Sequence, residues 1–257
     1  MNRLPTVFIS HGAPTFALEP GVAGARLAQL GRTLERPRAV LVVSPHWMTR
    51  APIAGTAERP DTIHDFGGFD PELYQIEYPA PGHPELARRA LERLRDAGWA
   101  AHTDERRGLD HGAWVPLLHL YPRADVPVFQ VSMPATLDAA SAWGLGEALA
   151  PLADEGVLIV GSGGLTHNIR EFFEGRDRDT AYAAEFAAWV REAVLAGDAA
   201  RIRSALAQAP HAPRAHPTPE HFWPLLVAAA AAASPGAVLH GGELRGTLSM
   251  DSFVFRH

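Results

Sequence analysis

The chain has 257 residues, 47% of them hydrophobic and 20% charged, with a formal net charge of −6. This is globular composition, long enough to bury a substantial core, and it excludes nucleic-acid binding, which needs a concentrated basic face. Cysteine is absent and all 23 basic residues are arginine, which excludes disulfides, thiolate metal sites, cysteine nucleophiles, Schiff-base lysines and a functional P-loop.

In chain order, the first predicted element is a strand over residues 6–10, which stops at His11-Gly12-Ala13-Pro14. A second, over 39–44, ends at Pro45-His46-Trp47. Residues 84–97 read as a helix, with Leu86, Leu91 and Leu94 on it and Gly98 closing it. A third strand is expected over 126–132, a helix over 137–152, and a fourth strand over 157–160 that ends at Gly161-Ser162-Gly163-Gly164. Residues 180–196 form another amphipathic helix, with Tyr182, Phe186, Trp189, Val190 and Val194 on roughly one face. The alanine run 228–233 continues the apolar stretch 222–227 and predicts a tightly packed buried helix. The tail, residues 237–240 and 246–255, alternates like antiparallel strands joined at Gly241-Gly242.

Apolar runs without alternation belong to strands covered on both faces. The expected fold is therefore a single α/β domain spanning residues 1–257, with an open, mostly parallel central sheet flanked by helices and antiparallel C-terminal strands. No apolar run approaches the roughly 20 residues needed to span a bilayer. The segment Met1-Asn2-Arg3-Leu4-Pro5 lacks a signal-peptide core. A cytoplasmic protein without a membrane partner is the expectation.

Thirteen histidines remain as the candidate chemistry. In open α/β sheets ligands bind at the carboxyl ends of the strands. His11, His46 and His167 each lie just past a predicted strand, and imidazoles converging on one rim are what a metal site needs. His221 follows Pro217-Thr218-Pro219-Glu220, where Thr218 is placed to cap a helix and Glu220 and His221 fall in its first turn. His111 adjoins Asp110, a carboxylate able to fix its tautomer, and His64-Asp65 opens the glycine-rich loop Phe66-Gly67-Gly68-Phe69. His83, His102, His119, His211, His240 and His257 have no supporting context.

These motifs, with Tyr78-Pro79-Ala80-Pro81-Gly82 and His167-Asn168, follow one another over nearly the whole chain. In order and spacing the chain resembles the class III extradiol ring-cleavage dioxygenases, and within them the 4,5-DOPA dioxygenase extradiol-like branch. The resemblance implies an α/β fold and one non-haem divalent metal, Fe(II) for dioxygenase activity, with Zn(II) an alternative occupant of isolated protein. It implies His11, His46 and His221 as ligands, with Glu220 beside the third as the competing donor. His167 is either a fourth ligand or the base that deprotonates substrate. His111 is implied as the proton donor, and His64 and Asp65 as substrate-binding pocket wall. The implied partners are a small aromatic diol and O₂; the oligomeric state stays open.

Two other readings use the same histidines: a zinc hydrolase acting through metal-bound water, and a non-catalytic binder of metal or small aromatics. A serine hydrolase at Ser162 is disfavoured, because Gly161-Ser162-Gly163-Gly164 lacks the nucleophile-elbow spacing.

Overall fold

The four apolar runs form strands: β1 (Thr6–Ser10), β2 (Ala39–Val43), β3 (Val128–Gln130) and β4 (Val157–Gly163), every residue of them buried. In the computed structural model, which describes residues 3–175 and 180–256, β4 lies between β1 and β2, with β3 outside β2, and all three pairings are parallel. The sheet is completed by β5 (Gly236–Leu239) and β6 (Ser252–Phe255), where β6 runs antiparallel to β1 and β5 antiparallel to β6. The order across the sheet is β3-β2-β4-β1-β6-β5, the mixed α/β architecture expected from the sequence.

Successive strand residues face opposite sides, and both sides are apolar because helices cover both. On one face, Val7, Ile9, Val40, Val42 and Val160 pack under α1 (Gly21–Thr33) and α3 (His111–Leu120). On the other, Phe8, Leu41, Ile159 and Phe253 meet α2 (Pro84–Asp96), α4 (Ala139–Leu149), α6 (Ala181–Ala196) and α7 (Trp223–Ala232). The short α5 (Ile169–Glu174) follows β4 at the carboxyl edge of the sheet. Every residue of α7 is buried, so the alanine run is the small-residue core helix its composition predicts. Among the described residues no helix is long and apolar enough to cross a membrane.

Four local expectations are corrected. The third strand is shorter than 126–132, since Pro127 has no amide to donate to a ladder. The helix over 137–152 ends as α4 at Leu149 and tightens into a 3₁₀ turn at Ala150–Ala153, which contains Pro151. No helix begins at Pro219: α7 starts at Trp223, with Pro224 in its first turn, and Thr218 donates its hydroxyl to the Glu220 carboxylate instead of capping. The backbone there is tied elsewhere, because the His221 carbonyl accepts from the Gly164 amide at the end of β4.

The fourth concerns the tail. Of residues 237–240, the first three do pair with β6, together with Gly236, but not through a tight turn at Gly241-Gly242. The intervening chain forms its own hairpin, Glu243–Leu244 with Leu248–Ser249. Its turn has Arg245 at φ +50° and Gly246 at φ +69°, closed by the Thr247 amide on the Leu244 carbonyl. Two left-handed residues make a primed turn suited to Asn-Gly, and an arginine in the first position costs about 1 kcal/mol. His257 and residues 176–179 lie outside the described residues.

Candidate metal centre

Three ring nitrogens converge at the carboxyl edge of the sheet. His11 follows β1 directly, its amide continuing the ladder to the Gly163 carbonyl at 2.9 Å. Gly12 then turns the chain away at φ +63°, where a Cβ would stand 2.8 Å from the Met250 sulfur. His46 follows β2, with its amide on Ser44 Oγ and its carbonyl accepting from Arg107. His221 comes from the irregular segment ahead of α7. Ligand atoms of His11, His46 and His221 all lie within 4.8 Å of one another.

Hydrogen bonds on the far side of each ring set the tautomers. Ser162 Oγ donates to the Gly112 carbonyl, so it must accept from His11 Nδ1–H at 2.9 Å, and the His11 lone pair sits on Nε2. His221 Nδ1 donates to the Glu220 carboxylate at 3.1 Å, which leaves its Nε2 buried and without any hydrogen-bond partner. His46 Nε2 is 3.1 Å from His11 Nε2, while its Nδ1 is 3.7 Å from the Asp65 carboxylate. Either His46 tautomer therefore turns one lone pair toward negative charge or toward another lone pair. A cation among the three Nε2 atoms removes that conflict and partners the orphaned atom. Two imidazole ligands about 2.1 Å from one ion at right angles stand about 3.0 Å apart, as His11 and His46 do. The residues fit a divalent metal, each ring oriented by an outer acceptor.

Glu220 serves as such an acceptor for His221, and its carboxylate lies close to His167 and His221 rather than to His11 and His46. His167 stacks flat on His221, with ring centroids 3.4 Å apart and planes within 9°. Its ligand atom is likewise grouped with Glu220 and His221, not with His11 and His46.

His111 opens α3 and lies against His46, centroids 3.9 Å apart. Gly112 makes that approach possible, since a Cβ there would fall 2.3 Å from Ser44 Oγ and 3.0 Å from the His46 ring. The carboxylate that orients His111 is not its neighbour Asp110, as the sequence suggested, but Asp65. Asp65 Oδ1 accepts from both the ring Nδ1 and the backbone amide of His111, each at 2.9 Å. Asp110 turns inward to Ser44 and the Gln130 amide, and burial pushes its own carboxyl pKa up.

Above the histidines lies a cavity of about 290 Å³ lined by His11, His46, His111, His167 and His221 with Phe66, Phe69 and Phe173. This is the small end of the range for ligand pockets. His64 and Asp65 do not line it. His64 donates to the Ile76 carbonyl and packs its ring on Trp114 and Phe66, so it props the loop from behind. The aromatic wall and the Ser162 contact escaped the sequence reading; the only available signal was the spacing of phenylalanines around the Gly67-Gly68 pair and after His167.

Burial governs the electrostatics. His11 and His221 are held well below the ordinary histidine pKa by desolvation and then by neighbouring imidazoles. Desolvation lowers His46 to about 3, with His111 adding to the effect, and lowers His167 to about 4. His216, fully enclosed behind His221 and donating to the Leu165 carbonyl, is lowered to about 4 by the same cause.

A stability prediction follows. In the unfolded chain these rings take up protons near pH 6.5, whereas burial keeps them neutral well below that in the folded protein, to about 4 for His167 and His216 and about 3 for His46, so the unfolded state binds more protons in that window. Stability is then present above about pH 6.5 and is lost as pH falls, each histidine adding a slope of about 1.4 kcal/mol per pH unit. Urea midpoints of metal-free protein should drop steeply between pH 7 and 5; a flat profile would contradict neutral buried imidazoles.

A second prediction concerns Ser162. Ser162→Ala removes the acceptor that fixes His11, and metal affinity should fall roughly 10- to 100-fold, read by chelator competition. Unchanged affinity would show that packing alone orients the ring.

A family model described as the catalytic LigB subunit of aromatic ring-opening dioxygenase matches residues 6–249. The chain is 42% identical over 260 residues to a 4,5-DOPA dioxygenase extradiol of Beta vulgaris, with 99% of this chain and 97% of the relative covered. It is 38% identical to a protein of the same name from Escherichia coli (strain K12), over 88% of this chain and 84% of that one. The crystal structure of an uncharacterized Escherichia coli K12 protein superimposes with a TM-score of 0.80 at 31% identity, covering 99% of this chain and all of the other.

Proposed function

The chain belongs to the LigB family of aromatic ring-opening dioxygenases and is an extradiol dioxygenase, and from that premise we propose that it cleaves a catechol, DOPA-like in its ring, at a single Fe(II) held by His11, His46 and His221. The observation that carries this reading is the convergence of three Nε2 atoms at the floor of a small aromatic-walled cavity.

Fe(II) held by His11, His46 and His221 would supply the redox chemistry for O₂ and lower the pKa of the catechol hydroxyls. Phe66, Phe69 and Phe173 supply apolar wall against which an aromatic ring would pack. His167, neutral at pH 7 because burial lowers its pKa, takes the second hydroxyl proton. His111, with Nδ1 committed to Asp65, has Nε2 left for the cavity. It would take up the first hydroxyl proton there and return it to the oxygen atom released when the O–O bond breaks, as the other oxygen is inserted at the ring carbon–carbon bond beside the hydroxyls. Asp65 compensates the charge of the ring while it carries both protons. Both O₂ atoms end in the product, so no external reductant enters.

The test is anaerobic Fe(II) loading of the full chain, followed by addition of catechols in air. One O₂ consumed per catechol and a new yellow absorbance are expected. Zinc-loaded protein, lacking redox chemistry, should be silent. Failure of every catechol to draw O₂ would refute the assignment, and ester or amide turnover without O₂ would favour a zinc hydrolase.

A further inference from the structure

One carboxylate is fully enclosed behind the histidine cluster. Asp110 has no solvent exposure and does not line the cavity, yet its oxygens have specific partners. Oδ1 accepts from Ser44 Oγ at 2.9 Å. Oδ2 accepts from the Gln130 side-chain amide at 2.8 Å and, less closely, from Arg107 Nη2 at 3.4 Å. Gln130 cannot turn round, because its Oε1 accepts from the Asp110 backbone amide at 3.1 Å.

Two of these partners lead to His46. Ser44 gives its one hydroxyl proton to Asp110, so its oxygen accepts from the His46 amide, at 3.3 Å. Arg107 Nη2 also donates to the His46 carbonyl at 3.2 Å, and its guanidinium is held 5.2 Å over the Trp47 ring. The main chain of His46 is thus gripped at both ends by groups that converge on one carboxylate. Asp110 also starts α3, its carbonyl accepting from the Ala113 and Trp114 amides at 2.9 and 3.0 Å. That fixes the backbone of His111, whose ring lies on the ring of His46. A buried carboxylate is costly to desolvate, and an apolar side chain of similar volume often stabilises a core at least as well. An apolar side chain could not hold these donors in place.

Resting on the assignment of His46 as a metal ligand, we propose that Asp110 and Arg107 are positioning residues that place His46 Nε2 against His11 Nε2 and so set the affinity and geometry of the metal centre. They touch neither metal nor substrate and act through the His46 main chain. Asparagine cannot replace Asp110. Its amide nitrogen would face Gln130 Nε2 and Arg107, donor against donor, or else Ser44, which would then lose its acceptor. Either arrangement breaks one of the two links to His46.

The probe is Co(II) added to metal-free full-length protein, with affinity read by chelator competition and ligand geometry by the visible absorption of the bound ion. Asp110→Asn should bind Co(II) roughly 10- to 100-fold more weakly, with altered absorption bands, while near-UV circular dichroism of the metal-free protein keeps its wild-type form. Arg107→Met retains the length of the side chain without a donor and should lose roughly 10-fold. Arg107→Lys, which restores a donor, should recover most of that loss. Because both residues act through one network, Asp110→Asn combined with Arg107→Met should bind little more weakly than Asp110→Asn alone. If Asp110→Asn does not fold, the two Arg107 variants decide. Wild-type affinity and absorption bands in the folded variants, losses that only track unfolded protein, or an Arg107→Lys no better than Arg107→Met would overturn the positioning role. Wild-type Co(II) affinity in His46→Ala would instead remove His46 from the ligand set, and with it the assignment on which this role rests.

Discussion

His11→Ala should yield a folded chain that retains no iron after gel filtration and whose ring-cleaving turnover is at least roughly 1,000-fold down. His11 is the hub of the cluster. Its Nε2 is the atom nearest to His46, its ring lies edge-on to His221 with centroids 5.4 Å apart, and its Nδ1 is anchored to Ser162. Without it two imidazoles remain, and a divalent ion keeps too few protein ligands to be retained. Folding should survive, because the imidazole is a desolvated base packed among other desolvated bases, and its removal relieves the contact with His46. Metal analysis, near-UV circular dichroism and O₂ uptake on the same sample check this. A His11→Ala protein with one iron per chain would disprove the ligand set.

His111→Asn should behave in the opposite way, keeping its metal while kcat falls roughly 100- to 1,000-fold. The side chain is about the right size, can still donate to Asp65, and leaves the His11, His46 and His221 nitrogens in place. What it loses is a proton-carrying atom on the cavity side. Asp65→Asn should show a smaller loss of kcat, because the ring remains but its orientation and charge compensation are weakened. Metal content measured beside kcat and KM separates the roles. Loss of metal in His111→Asn would reassign His111 as a ligand, and an unchanged kcat would remove it from the reaction.

The sheet was legible because its strands are short, uninterrupted apolar runs such as residues 39–43, which leave burial on both faces as the only solution. His11 and His46 were legible for a related reason: a residue just past a parallel strand is fixed at the carboxyl edge whatever the rest of the chain does. His111 was found, but its partner was not. Asp110 is adjacent in sequence, yet as the residue before α3 it points into the core, where Ser44 and Gln130 satisfy it. Asp65 reaches His111 only because the glycine-rich loop folds back over the start of α3, a contact 46 residues apart in the chain. His64 was misplaced by the same loop: its neighbours Phe66 and Trp114 turn it away from the cavity. Periodicity describes a face of an element, and it has nothing to say about the path of a loop.

The three nitrogens proposed as ligands come from segments far apart in the chain, and β1, which leads to His11, is flanked by β4 and by β6, the strand of this sheet furthest along the sequence. During synthesis His11 and His46 therefore wait, without their third partner, until residue 221 has emerged. Pairing of such distant segments is slow to nucleate. Capture of a metal by all three would thus follow synthesis of residue 221, and a product truncated before it would carry two of the histidines but not the third.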